Sequence, residues 1–220
     1  MKEKKPRNPY WEEKMGFWKR LGWVLTYYRL PILIAAGVLI VAGYILYINL
    51  RPHREDILNV MIVNGNTVAE SDVFDRYLGE AGFDLTEYES YVSNGIQIRM
   101  DGTDEHAWDY FQIVSAQFLS GEIDLYLSDG DLFTRFANYG AFQDVTEYLT
   151  PEQLERYEDS ILYVTNTDTG EQMACGLILT PDTELCRTYF FDTCYLGVSS
   201  GLYHEEETMG VLARILEELP

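Results

Sequence analysis

Two short loops carry the residue types best suited to holding a polar ligand. Asn64-Gly65-Asn66-Thr67 follows the apolar run 57–63 (ILNVMIV), and Ser128-Asp129-Gly130-Asp131 follows the run 123–127 (IDLYL). Each run reads as a buried strand, and each loop leads into a helical pattern. Asparagine amides, a serine hydroxyl and carboxylates set beside the free N–H groups of a first helical turn can bond a polar solute. Asn64, Asn66, Ser128, Asp129 and Asp131 are therefore the candidate ligand contacts. The same aspartates also suit the plainer work of capping the helix that follows, and both readings stand.

Other chemistry is thinner. The three cysteines, Cys175, Cys186 and Cys194, are an odd number, so at least one is unpaired or bonds another chain. A Cys186–Cys194 disulfide is one reading; small core residues or free thiols are the other. The absence of any CxxC pair gives no pointer to zinc. His53, His106 and His204 lie far apart in polar surroundings and read as surface residues. Segments 101–105 (DGTDE) and 166–171 (NTDTGE) offer oxygen ligands for a hard cation, but neither completes the calcium-loop pattern with its closing Glu. No metal and no cofactor is expected. The sequence has no nucleophile elbow, phosphate loop or dinucleotide fingerprint, and no two carboxylates are singled out for acid–base work. Enzyme activity is not expected.

Positioning the two loops takes an alternation of strands and helices. After the strand at 57–63 comes a helical pattern over 67–78, with apolar Val73, Phe74, Tyr77 and Leu78, a cap at Thr67 or Ser71 and a stop at Gly79 or Gly82. Residues 96–100 (IQIRM) alternate and read as a second strand. A helix over 106–119 presents Trp108, Phe111, Ile113, Val114, Phe118 and Leu119 as one broad apolar face, ended by Ser120-Gly121. The strand at 123–127 is third, followed by a helix over 132–139 closed by Gly140. A short helix starts at Thr150-Pro151-Glu152; further strands read at 161–164, 173–179 and 194–199, the first two joined as a hairpin. A last amphipathic helix covers 205–219, with Met209, Leu212, Ile215, Leu216 and Leu219 inward. Strands alternating with helices imply an α/β fold: a three-layer sandwich around a mainly parallel sheet.

Charge divides the chain. Residues 1–29 carry a net charge of +5, residues 30–50 none, and residues 51–220 a net −25, with no lysine after Lys19. An acidic domain repels a phosphate backbone, so nucleic acid is excluded as its partner. The run from Leu30 to Leu50 (LPILIAAGVLIVAGYILYINL) is long enough to cross the hydrocarbon core, roughly 30 Å. Lys14, Lys19, Arg20 and Arg29 before it predict a cytoplasmic N-terminus. The span reads as a permanent signal-anchor rather than a cleaved leader, since the apolar run is longer than the usual ~7–15 residues. Residues 10–28 read as an interfacial amphipathic helix or an ordinary solvated one. The expected order is a basic cytoplasmic segment (1–29), a transmembrane helix (30–50), a stalk (51–56) and an extracytoplasmic α/β domain (57–220).

One stretch carries a family resemblance. AQFLSGEIDL (116–125), FTRFANYG (133–140) and AFQDVTEYL (141–149) together resemble the extracellular solute-binding proteins of ABC importers, of the type II periplasmic-binding-protein kind. LGV (196–198) and the helix at 208–219 resemble that family's late strand and helix, and the basic aromatic run 23–29 resembles membrane-anchored relatives in Gram-positive bacteria. The family builds two lobes around a cleft; here residues 150–172 alone stand where most of the second lobe would be. The resemblance therefore implies one lobe on a membrane anchor. It implies an accessory of an ABC-type transporter or a small-ligand sensor, partnered by a permease or another membrane protein. The alternative is a non-catalytic structural module of a cell-envelope complex that has lost ligand binding.

Overall fold

The computed structural model describes residues 28–50, 54–69, 72–165, 170 and 172–219, with the single positions 16, 18, 22 and 26. The segment 10–28 and the stalk residues 51–53 lie largely or wholly outside the described residues, as does most of the acidic loop 166–171. The chain divides into two units, Met1–His53 and Arg54–Pro220.

In the first unit the continuous helix among the described residues is α1 (Arg29–Leu50). Every side chain described from Leu30 to Tyr47 is exposed. A core helix buries a stripe; this one buries none and carries no charge after Arg29, so it is long and apolar enough to cross a membrane.

The second unit is built on one six-stranded sheet, in the order β2-β1-β3-β6-β5-β4. The strands are β1 (Glu55–Val63), β2 (Tyr88–Ile96), β3 (Leu125–Ser128), β4 (Ile161–Thr165), β5 (Gln172–Leu179) and β6 (Cys194–Val198). The helices are α2 (Asp72–Glu80), α3 (Ala107–Ser120), α4 (Gly130–Asn138), α5 (Pro151–Arg156), α6 (Glu184–Tyr189) and α7 (Glu205–Glu217). Alternation along β1 explains the layers. Leu58, Val60 and Ile62 face a core shared with α2, α6 and α7. Met61 and Val63 face the opposite core, shared with α3 and α4. The expected α/β architecture with helices on both faces is therefore present.

The mainly parallel sheet is not. β1 pairs in parallel with β2 and β3, but β3–β6, β6–β5 and β5–β4 are antiparallel. The reason lies in the connections. A parallel crossover needs an element that runs back the length of the strand. The six residues of α6 span only about 9 Å, against roughly 26 Å for the eight residues of β5. The link from β4 to β5 is shorter still, and the two form the expected antiparallel pair.

Four further expectations shift. The second strand is Tyr88–Ile96, not 96–100; it is an edge strand with no fully buried residue, so its sequence shows little alternation. α2 begins at Asp72, which leaves Thr67 in a turn before it, and Gly79 lies inside the helix; left-handed Gly82 (φ 102°) follows its end. α3 buries Ala107, Phe111, Val114 and Phe118, while Trp108, Ile113 and Leu119 stay exposed, Leu119 at 91%. The stalk is shorter than expected, because Glu55 and Asp56 belong to β1 and Arg54 already pairs with Glu89 at 2.6 Å.

Local chemistry sets the helix ends as read. Asp129 caps α4 by accepting from Leu132 N at 3.1 Å. Thr150 and Gln153 form a reciprocal capping box around Pro151. Gly121 takes the left-handed conformation (φ 73°) that closes α3, and its N–H reaches back to Phe118 O.

Candidate functional site

The C-terminal ends of β1 and β3 lie side by side, and a cleft of about 730 Å³ opens beyond them. Three of the five sequence-chosen residues line it: Asn64, Asp129 and Asp131. Ser128 does not; it is fully buried and its hydroxyl donates to Asp129 O at 3.0 Å. Asn66 is also outside, turned toward α6. Its N–H donates to Tyr189 O at 2.9 Å, and its side-chain oxygen accepts from Val68 N at 3.1 Å.

Asn64 is the brace of the cleft. It adopts a left-handed backbone (φ 66°), a conformation asparagine tolerates better than most side chains. Its amide nitrogen donates to Ile98 O at 2.9 Å and to Asp129 Oδ2 at 2.5 Å, and its oxygen accepts from Ile98 N at 2.6 Å. One side chain thus ties β1 to the segment after β2 and to the cap of α4. Asp129 spends both carboxylate oxygens, one on Asn64 and one on Leu132 N. Asn64 and Asp129 therefore shape the walls of the cleft, and the capping reading of Asp129 is correct as far as it goes.

The groups left over for a ligand are others. Arg99, in the segment after β2, and Arg135, on α4, both line the cleft, and Asp131 lines it from the first turn of the same α4. Among the described residues none of these three side chains makes an ion pair. Asp101, on the rim, is engaged by the hydroxyl of Thr103 (2.5 Å) and its N–H (2.9 Å), which hold its carboxyl below the usual carboxylate range. The cleft thus presents two guanidiniums and an unpaired carboxylate on a braced frame. That set can hold a polar ligand bearing a carboxylate or phosphate, or both charge signs.

Sequence reasoning missed both arginines. Arg99 fell within a segment read as strand. A weak signal was there: residues 51–220 hold no lysine, so their eight arginines are the permanent cations available to an anionic ligand.

At the opposite end of the strands, a second cavity of about 490 Å³ is lined in part by Asn59, Gln117, Tyr203 and His204. His204 corrects the surface reading. Its Nδ1 lies 2.8 Å from Asp124 Oδ2, and Asp124 has no exposed surface. His106 is exposed as expected, 3.5 Å from Asp109; His53 lies outside the described residues. Among the described residues no three His, Cys, Asp or Glu side chains converge as metal ligands would. All three cysteines are buried thiols, and the Cys186 and Cys194 sulfurs are 3.3 Å apart.

No protein-family profile, curated protein or solved structure matches the chain. The resemblance to solute-binding proteins accordingly stands on the short motifs that carry it.

Proposed function

We propose that the chain is a membrane-anchored, solute-binding-like module, an accessory of an ABC-type transporter or a small-ligand sensor. α1 is its anchor, the N-terminus is cytoplasmic, and the acidic unit lies outside the membrane. The observation that carries the reading is the braced cleft at the ends of β1 and β3, where open α/β sheets hold their ligands. Arg99, Arg135 and Asp131 are the contacts, and no step of catalysis is assigned to them. A thermal-shift screen of residues 54–220 against a library of charged small solutes tests it. At least one solute is expected to raise the Tm, and Arg135→Ala is expected to abolish that shift while leaving the unliganded Tm within about a degree, as exposed substitutions do. A blank screen, or a hit indifferent to Arg135 and Arg99, would overturn the assignment.

A second reading, a non-catalytic interaction module of a cell-envelope complex, draws on a different observation. Trp108, Tyr110, Ile113 and Leu119 stand exposed on α3, beside the buried face of Ala107, Phe111, Val114 and Phe118. Purification from membranes discriminates the two: a stoichiometric protein partner with blank ligand screens favours the interaction module.

A further inference from the structure

Two of the three cysteines are placed as a pair, and the fold excludes the third. Cys186 is the third residue of α6 and Cys194 is the first residue of β6. Both are fully buried in the core shared by α2, α6 and α7. Their sulfurs are 3.3 Å apart, so closing to the 2.03–2.05 Å of a bond takes a shift of little more than 1 Å. Cys175, on β5, belongs to the core on the other face of the sheet, where its thiol points to Leu162 O at 3.7 Å. The sheet itself stands between Cys175 and the pair.

We propose that Cys186 and Cys194 are a redox pair that closes to a disulfide across the turn 187–193 in an oxidising medium, leaving Cys175 a free thiol.

The chemistry is thiol–disulfide exchange with a low-molecular-weight disulfide such as oxidised glutathione. The thiolate of one cysteine attacks the external disulfide, forms a mixed disulfide and expels one glutathione thiolate. The second cysteine, deprotonated, attacks the protein sulfur of that mixed disulfide and expels the other. The protein loses two electrons and two protons, and glutathione disulfide becomes two glutathione thiols. The hydrogen bond between the two sulfurs already favours one thiolate: it holds Cys186 down, at about 6, and pushes Cys194 up. Cys175 lacks such a partner, and burial raises its thiol to about 11. Access comes from the turn. Arg187, Phe190, Asp192 and Thr193 are exposed, so local opening of this surface turn uncovers both sulfurs without unfolding the sheet.

The bond would also reach the cleft's neighbourhood. Tyr189 O accepts from Asn66 N, and Phe191 packs where a side chain on Gly65 would stand, 3.1 Å from its Cβ position. The turn that the disulfide would pin is thus the buttress of the loop that begins at Asn64.

The test uses the full chain in detergent, incubated folded with oxidised glutathione, then denatured and alkylated. Cleavage after Glu171, Glu184 and Arg187 separates Cys175, Cys186 and Cys194 onto three peptides. The expected result is loss of two of the three alkylation sites, with the Cys186 and Cys194 peptides joined, two hydrogens lighter, until reductant is added. Cys175 remains alkylated. Three alkylated cysteines, stable glutathione adducts without a link, or a link involving Cys175 would each overturn the pair.

Discussion

Asp124 is a carboxylate without exposed surface that accepts four hydrogen bonds. Asn59 N donates at 2.8 Å, Tyr203 N and His204 N at 3.1 Å each, and the His204 ring sits at 2.8 Å. Burying an ion is tolerated when its lone pairs are filled in this way. The residue locks the start of β3 to the entry of α7, and its removal strands three backbone N–H groups. Asp124→Ala is expected to destabilise the unit 54–220 by about 3–5 kcal/mol in urea unfolding, and Asp124→Asn by less because one accepting oxygen survives. A loss under 1 kcal/mol for the alanine variant would refute this role. Asn64 gives a complementary case at the cleft. Asn64→Gly keeps the left-handed backbone and loses the brace, so ligand binding should fall while stability falls only modestly; Asn64→Ala should lose both.

Among the elements, β5 and β6 are shaped by what they omit. The rings of Phe133 and Phe142 stack at 4.3 Å over Gly176 and Gly197. A Cβ on Gly176 would meet Leu196 O at 2.5 Å and Phe133 at 2.6 Å; one on Gly197 would meet Phe142 at 2.7 Å. Gly176→Ala and Gly197→Ala should each cost about 1–3 kcal/mol or more through overpacking, read as a lowered urea midpoint with an unchanged slope. This scale also shows what could be read in advance. β1, β3, α4 and α7 announced themselves because each buries a continuous stripe, so periodicity and caps pointed to the same residues. β2 did not, since an edge strand alternates weakly, and strand direction did not, since it depends on which connections are too short to cross over. Of the cleft, its place was legible from the loops at Asn64 and Asp129, while the bracing role of Asn64 was not. Arg99 and Arg135 were not, because only the pairing of β1 with β2 and β3 brings positions 36 residues apart in sequence to one opening.

The whole molecule carries its charges in a pattern that makes orientation testable. Every lysine lies between positions 2 and 19, before α1, and the unit beyond it has none. With the N-terminus inside, an impermeant amine reagent is expected to leave the protein unlabelled in intact cells and to label it after lysis. Labelling before lysis would reverse the proposed topology. The net −25 of residues 51–220 should also keep that unit off anionic lipid, an effect that weakens as salt shortens the screening length.

The strand order has a kinetic consequence. The antiparallel half, β4 to β6, joins partners no more than about twenty residues apart, whereas β1–β3 and β3–β6 join partners about 65–75 apart. Each fourfold lengthening of a closed loop adds about 1.2 kcal/mol of entropy to be overcome before contacts reward it. The local half can therefore form early, and β3 must then find partners on both sides, β1 by a long crossover and β6 across the middle of the chain. The centre of the finished sheet is therefore expected to assemble last, with hydrogen-exchange protection of β3 appearing after that of β4 and β5 in pulse labelling.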